Sequence, residues 1–297
     1  MPKAPAEPFR RVAILGTGLI GGSFALALRK HLPEVHITGF DREPVLLEAL
    51  ERGLIHENVT DIRKAVSSAD LVYIALPIST TIELLPQIAR HSPPHALVTD
   101  AGSTKRAICR AAEKHFVEGG PTFLGGHPMA GRETHGPGEA SVDLFRGAKY
   151  VLIGGDVAGA EFAASERRVE AFVALLEAIG ARTIWLDAET HDWAVAIVSH
   201  LPQMLAVALA GMIAEETDES GLPESLAGPG VREILRLAGS PYAMWRDIAF
   251  TNSDNLKRAL DRLAQAIDQL RNQLTTRDLE RSFAAANRLY KSLREVQ

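Results

Sequence analysis

A single cysteine, Cys109, in 297 residues excludes an internal disulfide framework and a cysteine-rich metal site, and it fits a reducing compartment. Positive charge is not in excess either. The 32 Lys and Arg stand against 37 Asp and Glu, a formal charge of −5, so nucleic acid is a poor partner class and any basic site must be local. Met1–Phe9 is rich in proline and has no apolar segment after its one lysine, so it reads as a loose tail and not as a secretory leader. There is no repeat at solenoid periods and no low-complexity tract. Long apolar runs are scarce: only 195–213 approaches membrane-spanning length. His200, Pro202 and Gln203 lie near its centre, where hydrocarbon would penalise them, so the run is expected to be a buried helix of a soluble, cytoplasmic protein without a membrane partner.

What is present is ordinary globular material, 46% apolar and 23% charged, in a chain long enough for two cores. From Arg11 to about Asp187, short β-branched runs alternate with helical segments. The expected strands are Arg11–Leu15, His36–Phe40, Leu71–Leu76, Ala96–Thr99, Thr122–Gly125, Tyr150–Ile153 and Thr183–Leu186. Their apolar residues are continuous and not alternating, which predicts strands covered on both faces and hence a doubly wound parallel-sheet α/β domain, 1–187. Beyond it, 188–297 reads as all-helical, with helices at Thr190–Glu216, Gly230–Ala238, Ala243–Thr251, Asp254–Thr275 and Arg277–Glu295. Leu256, Leu260, Leu263, Ile267, Leu270 and Leu274 form one stripe, which is either core packing or the interface of a homodimer.

Gly16-Thr17-Gly18-Leu19-Ile20-Gly21 satisfies G-x-G-x-x-G between a strand and a helix, and Asp41 follows at the end of the next strand. In that context Gly16 serves a tight turn, Gly18 a close backbone approach to a pyrophosphate, and Gly21 helix–strand contact, with the helix N-terminus facing the anion. Asp41 would accept hydrogen bonds from ribose hydroxyls and repel a 2′-phosphate, favouring NAD over NADP; the adjacent Arg42 could soften that choice. Leu76, Pro77 and Ile78, at another strand end, would line the same crevice.

Two further strand ends concentrate polar groups, Thr99–Lys105 with Asp100 and Ser103, and Gly125–Gly131 with His127. A histidine there can accept the proton of an alcohol while hydride leaves the same carbon; the alternative is a packing or capping residue. His127 and His135 share a loop without a convincing third ligand, so no metal is expected. In the helical half His200 sits beside Pro202 in an apolar helix, where a satisfied core histidine is the preferred reading of the residues alone. Arg236 and the run Met244–Ile248, with Trp245, add groups able to hold a carboxylate or, more blandly, to make a surface ion pair.

These residues resemble one family, the prephenate and arogenate dehydrogenases. The resemblance runs through GTGLIGGS at 16–23, DAGSTK at 100–105, GGHPMAG at 125–131, HDWAVAIVSHLP at 191–202 and MWRDI at 244–248. It implies oxidation of a ring hydroxyl with NAD and loss of the ring carboxylate as carbon dioxide. By the same resemblance His127 is the proton acceptor and Ser103 orients the hydroxyl and the imidazole. Arg236 is a carboxylate clamp, His200 and Trp245 are pocket residues, Glu133 gates the pocket, and Asp100 lies with the cofactor. The stretch before Arg236 departs from the family's glycine run, with Gly228-Pro229-Gly230 followed by Val231, Arg232 and Glu233. No mutase-like domain is expected ahead of the glycine motif, so any tyrosine feedback would have to act at the active site or a dimer interface. A 3-hydroxyacid dehydrogenase would need a catalytic lysine that 187–254 lacks, and a non-catalytic NAD sensor would need none of His127, Ser103 and Arg236.

Overall fold

The computed structural model describes residues 9–131, 134–154, 167–217 and 221–295. Eight strands form one sheet in the order β3-β2-β1-β4-β5-β6-β7-β8. They are β1 Arg11–Leu15, β2 His36–Phe40, β3 Glu57–Val59, β4 Leu71–Ile74, β5 Leu97–Asp100, β6 Thr122–Pro128, β7 Lys149–Ile153 and β8 Arg182–Leu186. The first half of the chain adds helices α1 Leu19–His31, α2 Glu43–Glu51, α3 Ile62–Val66, α4 Ile78–His91, α5 Arg106–Ala112 and α6 Arg167–Ala178.

Period-2 geometry explains why the strands read as unbroken apolar runs. Val12, Ile14, Leu71, Tyr73 and Leu97 pack into one buried cluster with Phe24 of α1 and Phe172 of α6. Their neighbours Ala13, Leu15, Val72, Ile74 and Val98 pack into a second cluster with residues of α3, α4 and α5. Each strand is thus covered on both faces, the condition that produces a parallel sheet between helical layers.

Pairing is parallel everywhere except between β6 and β7, which run antiparallel with His127 opposite Val151. The short β3 escaped the sequence reading because it has three residues, Glu57, Asn58 and Val59, none of them buried. β6 also extends further than expected. His127 lies within the strand and is held by ladder pairing, not carried on a loop beyond it. Phe9, assigned from sequence to the loose tail, is only 3% exposed and joins the first core cluster.

After β8 the chain is helical: α7 Ala188–Val195, a π-helical turn Ala196–His200, α8 Leu201–Glu216, α9 Leu222–Ser225, α10 Pro229–Leu235, α11 Tyr242–Thr251, α12 Ser253–Gln273 and α13 Asp278–Glu295. The π turn stands directly before Pro202, whose ring and missing N–H disturb the α ladder. The expectation that the apolar run would be buried within the subunit is not met. Ala188–Glu216 forms one 29-residue helical stretch, and only 22% of its most apolar window is buried. The α12 stripe behaves alike: Leu256 is buried, whereas Ile267, Leu270 and Leu274 are exposed.

Candidate active site

The parallel strands β1, β4, β5 and β6 end on one edge of the sheet, so the turns that follow them share one crevice. At the first turn Gly16 has φ +93°, and a Cβ there would stand 2.3 Å from the Ala75 carbonyl oxygen. At Gly21 an added Cβ would meet the Gly16 carbonyl oxygen at 1.9 Å. Among the described residues nothing lies within 4 Å of a Cβ built on Gly18 and no side chain caps α1, leaving its first turn, with Leu19 and Ile20, open to an anion. At the end of β2 the Asp41 carboxylate accepts from Thr17 N and from Arg42 N, both at 2.8 Å. These contacts brace the acid beside the glycine turn. Exposed Pro77 and the half-buried Leu76 precede α4, which starts at the buried Ile78. This turn, open helix end and braced acid fit a dinucleotide.

The Asp100 side chain is fully buried, accepting from Gly102 N at 2.8 Å and Gly126 N at 3.2 Å, and it forms an ion pair with Lys105. Its carboxylate thus braces the β5 turn against β6. Lys105 Nζ also donates to the Gly126 carbonyl at 2.6 Å, fastening the β5 turn to the strand that carries His127.

His127 is 9% exposed. Its Nδ1 lies 2.9 Å from His191 Nε2, and His191 Nδ1 lies 2.8 Å from Asp192 Oδ1. Asp192 is fully buried and also accepts from Lys105 N at 2.7 Å, Arg106 N at 3.1 Å and Arg106 Nε at 3.3 Å. Burial alone would raise its pKa, but the hydrogen bonds from His191, Lys105 and Arg106 outweigh that and hold it below the ordinary carboxylate value. His127 is pushed well below the ordinary histidine value, first by burial and then by electrostatic repulsion of its own protonated form by His191, Lys105 and His200. The ring is therefore neutral at neutral pH. Its Nε2 makes no hydrogen bond among the described residues.

His200 is 1% exposed, reaches Asn252 Nδ2 at 3.3 Å, and meets Trp245 edge to face with centroids 5.8 Å apart. Burial lowers its pKa to about 4, with Asp192 opposing and His191 assisting. The Trp245 Nε1 donor is buried and has no hydrogen-bond partner among the described residues, so a ligand acceptor would satisfy it. Ser103 is half-buried and makes no bond to the imidazole; the ring is oriented by His191 instead. Arg236 is exposed at the C-cap of α10, and nearby Leu237 is tied to α8 by a 2.8 Å bond from Gln203 Nε2. Glu133 lies outside the described residues.

His191, Asp192, Lys105, Arg106 and Asn252 were not singled out from sequence. Lys105, His191 and Asp192 sat inside motifs already noted, but an Asp after a His carries no signal until the helix turns both inward. Arg106 gathers Asp192, Glu189 at 3.2 Å, Asn252 at 3.1 Å and Asp254, so one guanidinium ties α5 to α7 and α12.

The family described as prephenate dehydrogenase, nucleotide-binding domain, matches residues 24–185, and prephenate dehydrogenase, dimerization domain, matches 187–291. Prephenate dehydrogenase of Lactococcus lactis subsp. cremoris is 36% identical over 270 residues, covering 91% of this chain and 72% of that protein. The crystal structure of prephenate dehydrogenase from A. aeolicus with hydroxyphenyl propionate and NAD+ superposes with a TM-score of 0.85 at 27% identity, covering 98% and 99% of the two chains. Arogenate dehydrogenase of Synechocystis gives a TM-score of 0.73 at 29% identity, covering 96% and 98%.

Proposed function

Because the chain belongs to the prephenate dehydrogenase family across both its nucleotide-binding and its helical half, we propose that it catalyses the NAD-dependent oxidative decarboxylation of prephenate to 4-hydroxyphenylpyruvate. The observation that carries this reading is the neutral His127, whose Nε2 has no partner among the described residues, on the sheet edge that also holds the glycine turn. NAD, when bound, supplies the hydride acceptor as the ring becomes aromatic and carbon dioxide leaves. His127 Nε2 takes the proton of the ring hydroxyl, and its ladder position in β6 keeps it from swinging away. Gly16, Gly18, Leu19, Ile20 and Gly21 receive the pyrophosphate, Asp41 the ribose hydroxyls, with Arg42 beside it, and Leu76, Pro77 and Ile78 flank the nicotinamide.

Ser103 orients the substrate hydroxyl, Arg236 clamps a substrate carboxylate, and His200 and Trp245 line the pocket, Trp245 offering its unspent donor. Glu133 completes this set as the gating acid. We divide the chain at 187/188, where β8 has ended at Leu186 and α7 begins at Ala188. The helical half forms a homodimer in a soluble, cytoplasmic enzyme. Val198, Leu226, Phe250 and Leu274 are each at least 66% exposed in the single subunit, and a second subunit would cover such a surface. Arogenate is the second reading, supported by the Synechocystis likeness.

The test is an assay of purified protein with prephenate and with arogenate, each with NAD and NADP, following reduced cofactor and carbon dioxide. Turnover of prephenate with NAD is expected; inertness toward both substrates would reject the proposal.

A further inference from the structure

We propose that His191 is a positioning residue that holds His127 as its Nδ1–H tautomer, so that a bare Nε2 is the nitrogen offered to the substrate hydroxyl. The proposal deepens the proposed function, since it rests on His127 as the proton acceptor.

Asp192 is fully buried and receives two backbone N–H bonds, from Lys105 at 2.7 Å and Arg106 at 3.1 Å, with the Arg106 Nε at 3.3 Å as a third donor. A carboxylate so surrounded is ionised and only accepts. The 2.8 Å contact between His191 Nδ1 and Asp192 Oδ1 therefore requires the proton on His191 Nδ1. With that one ring proton on His191, its Nε2, 2.9 Å from His127 Nδ1, is an acceptor, and we place the proton of this contact on His127 Nδ1. Only the Nε2 of His127 remains, unprotonated and without a partner among the described residues.

Without the His191 acceptor, a neutral imidazole prefers the opposite tautomer in water, with its proton on Nε2, where it would meet the substrate hydroxyl donor to donor. The burial that keeps His127 neutral thus makes its tautomer the deciding variable. His191 itself is fully buried and edge to face with His127 at a centroid distance of 5.1 Å, behind the ring that meets substrate. It acts through His127, as the third member of a triad holds an imidazole in its productive tautomer.

Two substitutions separate orientation from bulk. In His191→Asn the amide stands near the former Nδ1 and keeps the Asp192 bond, but it does not reach His127. In His191→Gln the carboxamide oxygen reaches the former Nε2 position and can accept from His127 Nδ1–H. The full chain, labelled with 15N in its histidine rings, is examined by NMR at neutral pH, and the His127 signals are identified by their loss in His127→Asn. The expected native spectrum has His127 protonated at Nδ1 and bare at Nε2. The Gln variant keeps that pattern and the Asn variant gains Nε2–H. In the same samples kcat with prephenate falls about 10- to 100-fold in the Asn variant. NAD affinity and the prephenate KM stay near native, and the Gln variant recovers most of the loss.

A native His127 carrying its proton on Nε2 would overturn the proposal, as would an Asn variant with native tautomer and native kcat, or equal losses in both variants. Should the Asn variant not fold, the native spectrum and the Gln variant decide alone. The spectra need no substrate, so an inert native enzyme would defeat the proposed function without altering this readout.

Discussion

Asp247 of α11 caps α4 across the seam between the two halves of the chain: its Oδ2 accepts from Ser79 N at 2.9 Å and from Ser79 Oγ at 2.6 Å. Ser79 lies two residues after Pro77, so a carboxylate from the helical half stabilises the positive end of the helix that borders the cofactor crevice. Burial alone would raise the pKa of Asp247, but the bonds from Ser79 and Arg246 hold it below the ordinary value.

Asp247→Ala removes that cap and leaves the Ser79 N–H unpaired in a part-buried position. A loss of about 1–2 kcal/mol is expected in chemical denaturation, with NAD binding weakened several-fold because Leu76–Ile78 lose their anchor. Calorimetric titration of NAD into the variant checks the second effect; unchanged affinity would show that the cap serves stability alone.

Lys105→Met strands the Asp100 carboxylate, which is fully buried and has no other cationic partner among the described residues. Removing one member of a buried pair costs about 3–5 kcal/mol. Thermal unfolding should therefore fall sharply, and a second change, Asp100→Asn, should recover part of it because the stranded charge is gone.

His127→Asn should lower kcat by roughly 10²–10⁴, the range of a positioned general base. NAD affinity should stay near native, since no contact of the glycine turn involves His127. Near-native turnover would remove the base role.

Stability should fall on acidification before the carboxylates titrate. His200 has an ordinary value of 6.5 that burial lowers to about 4 in the folded chain. Between those values the unfolded state binds the extra proton, so the contribution is complete above 6.5 and is lost as pH falls toward 4. For this group alone the loss at about pH 5 is about 2 kcal/mol, and His127 shifts in the same direction. Urea denaturation near neutrality and near pH 5 measures it, and His200→Gln should flatten the dependence.

Local rules were enough to read much of this chain. The β1 and β2 bounds follow from apolar run length, the turn at Gly16 from glycine chemistry, and the switch from strand to helix near Asp187 from a change of period. Each depends on residues within a few positions of one another. His127 also stood out locally, as a histidine between two glycines and a proline near a strand end.

Tertiary structure decided what those groups face. The ion pair of Asp100 with Lys105 is made only by the folded turn, and α12 showed a stripe whose exposure no local pattern could assign. The tautomer of His127 is set 64 residues away by His191, and through it by Asp192 and Arg106. A sequence specifies which donors and acceptors exist, but a proton's position on an imidazole depends on which of them are brought within hydrogen-bond reach, and only the packing of α7 against β6 and α5 does that.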